Sequence, residues 1–171
     1  MNQFLRITFF KAQILFWISS LILILSTDKL HLHKYLNGFN SRFLDLITPF
    51  ATHIGDGLFA ITLAIGFYFV DKKNSILIAL SFLISAGITQ FLKQVIFSDA
   101  MRPMHYFLHD DSVHIVRGVT LHTQNSFPSG HATTCFAIFS IIALIYNHNK
   151  RIHLPLFFCA LFFALTRVYL S

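Results

Sequence analysis

Five long runs of apolar residues, separated by shorter polar stretches, dominate the chain. They cover about residues 9–27, 54–70, 75–97, 130–146 and 154–170. A helix of roughly 20 apolar residues crosses the hydrocarbon core of a bilayer, and basic side chains at its ends can reach the interface when the run is shorter. The pattern therefore predicts an all-α, polytopic bundle of five transmembrane helices in one domain over residues 1–171.

The first run could also be read as a secretory signal peptide, because Arg6 and Lys11 precede its apolar centre. Ser26-Thr27-Asp28 follows the run and offers no small-x-small cleavage site. An uncleaved span is therefore the preferred interpretation.

The polar residues between the first two spans are interleaved with apolar ones. Between Leu30 and His53 the apolar positions are Leu36, Phe39, Phe43, Leu44, Leu46 and Ile47. This spacing predicts one short amphipathic helix on the membrane surface between spans 1 and 2. Residues 98–127 form the longest polar segment, which we expect to form a lid over a site.

Composition supports a membrane protein and argues against a nucleic-acid partner. The chain is 55% hydrophobic and only 12% charged, whereas soluble domains are about 25% charged. The net charge is +6, but the basic residues are scattered and form no stripe of the kind that binds nucleic acid. Cys135 and Cys159 both lie in apolar runs and are expected to be small buried residues, unpaired.

Short basic loops set the expected orientation. Lys72-Lys73 and Lys150-Arg151 flank spans, and Arg6 with Lys11 flanks the first. If these loops are cytoplasmic, all five spans alternate correctly. The far ends of the spans then carry Lys93, Arg102, Ser129, His131 and Arg167 on one outer face. Ionisable residues near membrane spans usually mark function, so we expect a site there, facing the periplasm of a bacterial inner membrane.

The residues Pro128-Ser129-Gly130-His131 open the fourth apolar run directly after a polar stretch. The N-terminus of a helix attracts anions such as phosphate through free N–H groups and a partial positive charge. A histidine at that place can exchange a proton near neutral pH. The combination indicates phosphoryl-transfer chemistry.

Lys93, Arg102-Pro103, Pro128-Ser129-Gly130-His131 and Thr166-Arg167 together resemble the three motifs of the type 2 phosphatidic acid phosphatase and vanadium haloperoxidase superfamily. The resemblance runs from Lys93 to the C-terminus. It implies a membrane phosphatase that cleaves a phosphomonoester or pyrophosphate of a lipid through a phosphohistidine, without metal or other cofactor. Lys93, Arg102 and Arg167 would hold the phosphate oxygens, Ser129 and the Gly130 amide would hydrogen-bond them, and His131 would protonate the leaving alcohol.

Three departures from the family pattern stand out. The spacer between Lys93 and Arg102 has eight residues, whereas six is commonest, and Thr166 replaces a serine. The family's nucleophilic histidine and its supporting aspartate would fall at positions 173 and 177, beyond Ser171, as would the sixth span. We therefore expect residues 1–171 to be an incomplete gene product, inactive or nearly so, with a natural shortened form as the alternative.

Other interpretations of single features remain. A non-catalytic membrane protein that binds lipid phosphate is the alternative function; a haloperoxidase is disfavoured because those enzymes are soluble. His31-x-His33 and His105-x3-His109 have metal-like spacing but no third ligand, so no metal site is expected. Asp110-Asp111 could bind a divalent ion, but a polar loop is the preferred interpretation. Gly55-Asp56-Gly57 is expected to form a turn at a span end, or to touch the lid.

Overall fold

A computed structural model describes residues 7–107, 113–116, 118–119, 124 and 126–170, and every regular element in these ranges is helical. This confirms the all-α prediction. The helices are α1 (Thr8–Ser26), α2 (Lys29–Asn37), α3 (Arg42–Ala51), α4 (Gly57–Tyr68), α5 (Lys72–Phe91), α6 (Pro103–Tyr106), α7 (Gly130–Ile145) and α8 (His153–Leu170). Single 3₁₀ turns occupy Thr52–Gly55 and Lys150–Ile152, and a π-helical turn, Leu92–Ile96, extends α5.

Helices cover all five predicted apolar runs, but they differ in length. By length and apolar composition, α1, α5 with its π-helical turn, and α8 with its preceding 3₁₀ turn can each cross a membrane. The stretch Arg42–Gly55 and α4 together could form a fourth span with a bend of 62°. Helix α7 has 16 residues, which is short for a full crossing. Three or four helices in the described part of the chain are thus long enough to span.

The helices pack side by side in the order α4, α5, α7, α8 and α1. Ala143 on α7 and Ala160 on α8 are fully buried where these two helices meet the main core cluster. Small residues let helix backbones approach closely, which is the usual basis of helix association in membranes. The rings of Phe9, Phe139 and Phe157 fill the space around them.

The outer surface of the bundle is apolar, as expected for contact with lipid. Large apolar side chains such as Leu25 and Leu83 are exposed along α1 and α5. This arrangement agrees with membrane helices and not with a soluble bundle, which would cover its outer face with polar residues. Cys135 is buried as predicted, but the same prediction for Cys159 is wrong, because its position on α8 faces outward.

The predicted single amphipathic helix is two helices, α2 and α3. The Asp28 carboxylate caps α2 by accepting hydrogen bonds from the N–H groups of Leu30 and His31, both at 2.9 Å. The Ser41 hydroxyl caps α3 by accepting from Leu44 N–H. Two side-chain caps thirteen residues apart start two separate helices, since each satisfies the free N–H groups of a new first turn.

Helix α3 turns its polar side toward the bundle and its apolar side outward. Thr48 is buried, whereas Phe43, Leu46 and Phe50 are exposed. This is the reverse of a surface helix in a soluble protein and fits contact with lipid or the membrane interface. Its place at the membrane surface remains a prediction.

A polar latch holds α2, α3 and α8 to the described segment 113–116 of the long polar connection. The Asp45 carboxylate on α3 accepts hydrogen bonds from the Tyr169 hydroxyl on α8 and from His114 Nε2, the latter at 2.7 Å. The Asn37 side chain on α2 both donates to the His114 carbonyl at 2.9 Å and accepts from its N–H at 2.7 Å. We name Asn37, Asp45, His114 and Tyr169 the latch.

The latch predicts a measurable contribution of one hydroxyl group to stability. In Tyr169→Phe the ring stays but Asp45 loses a donor, so we expect the melting temperature in detergent to fall by about 3 °C. Tyr68→Phe removes the same atom from an exposed tyrosine at the end of α4 and should leave it unchanged. Equal melting temperatures for the two variants and the wild type would show that the latch adds no stability.

Candidate active site

One open cavity of about 650 Å³ lies where the C-terminal ends of α5 and α8 meet the N-terminal end of α7. The six site residues predicted from the sequence all line it: Lys93, Arg102, Ser129, Gly130, His131 and Arg167. Asp56, Gly55, Gly57, Thr89, Gln90 and Ser126 line it as well. The structure therefore brings residues of all three predicted motifs into one cavity. Their roles remain predictions.

The N-terminus of α7 points into this cavity. Ser129 is the N-cap residue, and its hydroxyl oxygen accepts a hydrogen bond from Ala132 N–H at 3.2 Å. The oxygen is thus occupied as an acceptor, while the hydroxyl proton can still be donated to a ligand. Gly130 is the first residue of the helix, so its N–H belongs to the set that has no partner within the helix. This end of α7 has the features that attract an anion.

Lys93 reaches the cavity from the π-helical turn that follows α5. This turn is closed by a hydrogen bond from Phe97 N–H to the Leu92 carbonyl at 2.8 Å, five residues back. One wider turn rotates the following side chains relative to those of a regular α-helix, and such turns are frequent at functional sites. Sequence patterns gave no signal for this turn, because it lies inside the apolar run predicted over about residues 75–97.

Arg102 lies in the connection after this turn, just before α6, and is fixed from its own side of the cavity. Its Nε donates a hydrogen bond to the Gln124 carbonyl at 2.8 Å. Ser126 N–H donates a hydrogen bond to the Ala100 carbonyl at 2.9 Å, which joins the beginning and the end of the connection between α5 and α7. Burial, and secondarily the charge of Arg167, lower the pKa of Arg102. Both guanidinium groups line the same cavity, where their like charges oppose each other.

His131 is held by α8 through one ring nitrogen. Its Nε2 lies 3.0 Å from the Phe163 carbonyl and 3.2 Å from the Thr166 hydroxyl. A carbonyl can only accept, and Thr166 already donates to the same carbonyl at 2.6 Å, so the hydrogen of the neutral ring sits on Nε2. Thr166, which stands where the family has a serine, thereby contacts the imidazole directly.

The other ring nitrogen, Nδ1, is buried and has no hydrogen-bond partner among the described residues. The His131 side chain is only 7% exposed. Since Nε2 carries the hydrogen of the neutral ring, Nδ1 is the atom that gains and loses the second proton.

Asp56 is a residue of this cavity that the sequence did not identify. Its carboxylate lies 3.7 Å from His131 Nδ1 and 3.8 Å from an Arg167 terminal nitrogen. The turn Gly55-Asp56-Gly57 was predicted, but its position against the imidazole was not. Only the two glycines hinted at a close approach of the backbone to another group.

The glycine before Asp56 gives His131 its space. A Cβ atom added to Gly55 would overlap the imidazole ring, and one added to Gly57 would lie 2.7 Å from Phe82 Cζ. The turn is therefore fitted between α5 and α7 without any room for a side chain at these two positions.

The described residues contain no group of three His, Cys, Asp or Glu side chains that could hold a metal ion. His33 lines the cavity and stacks on Phe107, with ring centroids 5.8 Å apart. His109, Asp110 and Asp111, which the sequence raised as metal candidates, lie outside the described residues.

A pair of glycine substitutions tests the fit between the turn and the imidazole. We expect Gly55→Ala to push His131 out of position and to weaken phosphate binding by about tenfold or more, since a displaced donor loses its geometry. Gly66→Ala places the same methyl group on α4 where no atom lies within 4 Å, so binding should not change. Titration calorimetry with inorganic phosphate in detergent measures both; unchanged binding in Gly55→Ala would contradict the fit.

Comparison of the sequence with known proteins finds one matching family. The family model described as PAP2 superfamily matches residues 74–171, which is more than half of the chain and includes all six predicted site residues. No curated protein and no solved structure was matched by the chain. With its helical fold, its apolar outer surface and this match, the protein belongs to the PAP2 superfamily.

Proposed function

We propose that the protein is an integral membrane phosphatase that hydrolyses a phosphomonoester or pyrophosphate of a lipid through a phosphohistidine intermediate, without a metal ion. The observation that carries this proposal is the cavity itself. Three cationic side chains, the N-terminus of α7 and a buried imidazole with a free nitrogen line one open space. Membership of the PAP2 superfamily supports a lipid-phosphatase-like function.

The cations suit the charge that develops during phosphoryl transfer. In the transition state, negative charge is spread over the three equatorial oxygens of the phosphoryl group, so fixed positive charge accelerates the reaction. The planar guanidinium groups of Arg102 and Arg167 can each bind two oxygens, while Lys93 adds a compact charge. The Ser129 hydroxyl and the Gly130 N–H supply neutral donors from the first turn of α7.

His131 is proposed as the general acid for the leaving alcohol. Its Nδ1 is the atom that gains and loses the second proton, and the contacts of Nε2 with Phe163 and Thr166 fix the ring. A ring fixed on one side exchanges a proton on the other side without first reorienting.

The surroundings of the cavity favour a lipid as the carrier of the phosphate. Phe16, Phe82, Phe136 and Leu165 line its wall beside the cations. An apolar recess of about 230 Å³ next to it shares Leu165 and Val168 with the cavity. A lipid could therefore place its head group on the cations while its hydrocarbon part stays against apolar side chains. The proposed arrangement is five spans with the site at the periplasmic side of a bacterial inner membrane.

The proposed nucleophile is the histidine of the family's third motif, expected six positions after Arg167. That position, 173, follows the last residue of the sequence, Ser171. The proposal therefore assigns phosphate binding and proton donation to the residues described above, and assigns attack on phosphorus to none of them. Binding of phosphate without its release from lipid would favour the alternative of a non-catalytic lipid-phosphate-binding protein.

Substitution of the cations provides the first test. We expect Arg102→Ala to reduce phosphate release from a lipid phosphate by about 100-fold or more in a catalytically active form of the protein, because a fixed donor to the developing charge is lost. Arg151→Ala removes the same side chain at the far end of α8 and should retain wild-type release. Melting temperatures of both variants control for folding, and wild-type turnover in Arg102→Ala would reject the assignment.

A chelator provides a second test, since protein side chains alone supply the positive charge in this mechanism. We expect phosphate release by a catalytically active form of the protein to persist at its full rate in excess chelator, measured in detergent with a lipid phosphate substrate. A strict requirement for magnesium, restored on adding the ion back, would contradict the proposed site.

A further inference from the structure

The cavity contains a carboxylate among its cations. Asp56 is the one acidic residue among the described residues that line it. Its Oδ1 lies 3.7 Å from His131 Nδ1 and 3.8 Å from Arg167, while Oδ2 lies 2.9 Å from His53 Nδ1. A negative charge at this point is unexpected in a site for an anionic ligand, because it repels the ligand and competes for the same cation.

Asp56 does not have the local role that its position suggests. It is the N-cap residue of α4, where an aspartate usually accepts hydrogen bonds from the N–H groups of its own helix. Its side chain makes no such bond. The carboxylate instead faces the cavity, so a local stabilising interaction is given up, as is common where a residue serves a function.

The backbone around Asp56 holds the carboxylate in this place. Gly55 allows the turn to lie directly against the imidazole of His131, and Gly57 lies against Phe82 on α5. His53 binds the second carboxylate oxygen from the preceding 3₁₀ turn. The position of Asp56 is therefore determined by contacts with α5, α7 and its own turn.

The contacts of Asp56 with Arg167 and His131 are close but incomplete. Separations of 3.7 and 3.8 Å exceed those of ordinary hydrogen bonds, which lie near 2.9 Å. The buried Nδ1 of His131 accordingly has no partner. The carboxylate therefore attracts Arg167, and His131 when its ring is protonated, without a hydrogen bond of ordinary length to either.

We propose that Asp56 is a positioning residue that acts as a built-in counter-anion: it holds Arg167 and His131 in the empty site and competes with the bound phosphate for them. This inference rests on the proposed phosphate site. Asp56 lies outside the region matched by the family model, residues 74–171. By weakening the hold on phosphate, the carboxylate would favour release of the product, while its charge stabilises the protonated imidazole that donates to the leaving group.

This competition predicts that removing the charge of Asp56 strengthens phosphate binding, whereas most substitutions in a binding site weaken it. Asp56→Asn keeps the size of the side chain but removes its charge, so we expect the dissociation constant for inorganic phosphate to fall by about tenfold. Asp56→Glu retains the charge and should retain weak binding like that of the wild type. Titration calorimetry of the detergent-solubilised protein with inorganic phosphate measures these affinities and does not require turnover.

Asp71→Asn is the matched control. Asp71 is the N-cap residue of α5, at the opposite end from Lys93, about 30 Å away for a 20-residue helix. The substitution makes the same change in charge and retains a good capping residue. Its affinity for phosphate should equal that of the wild type, which would exclude an effect of net charge alone.

Each outcome decides the proposal. Tighter binding in Asp56→Asn alone supports it, and so does slower turnover with a lower KM in that variant. Unchanged or weaker binding in Asp56→Asn, with normal binding by the wild type, overturns the inference but leaves the proposed function standing. No phosphate binding by the wild type overturns both, since there is then no anion for Asp56 to oppose.

Discussion

Mutual repulsion among three positive charges in one cavity is the constraint on which this structure depends. Lys93, Arg102 and Arg167 line that cavity, where partial burial removes part of the water that would otherwise screen them. Such a group is unfavourable unless negative charge is nearby. The fold meets this requirement with the Asp56 carboxylate inside the cavity. An anion at the proposed phosphate site would meet it a second time, and the repulsion in the empty cavity would then become affinity for that anion.

The helices place two of these three charges, Lys93 and Arg167, whereas Arg102 is held in the connection before α6. Antiparallel packing of α5, α7 and α8 puts two C-terminal ends and one N-terminal end together. The C-terminal ends of α5 and α8 favour cations, and the N-terminal end of α7 favours an anion. Lys93 and Arg167 therefore stand where helix dipoles favour them, and the phosphate would bind where α7 favours it. Because these three helix ends meet, residues that are far apart in sequence line one cavity.

Much of this arrangement could be predicted from the sequence, because it depends on periodicity and on motifs. The positions of α1, α5, α7 and α8 followed from apolar runs, and the place of Ser129 at the start of α7 followed from the polar stretch directly before such a run. Contacts between distant residues left no such pattern. Asp56 looked like a turn residue, the π-helical turn looked like ordinary helix, and the outward apolar face of α3 depends on which side the latch engages. These features are determined by tertiary packing, which local propensity does not encode.

The latch ties the last turn of α8 to the rest of the fold. His114, in the connection between α6 and α7, and Tyr169, two residues after Arg167, share the Asp45 carboxylate. Arg167 therefore stands on a helix end that is anchored to α3 and to segment 113–116, although the four latch residues do not themselves line the cavity. The position of one cation of the cavity thus depends in part on hydrogen bonds that lie outside it.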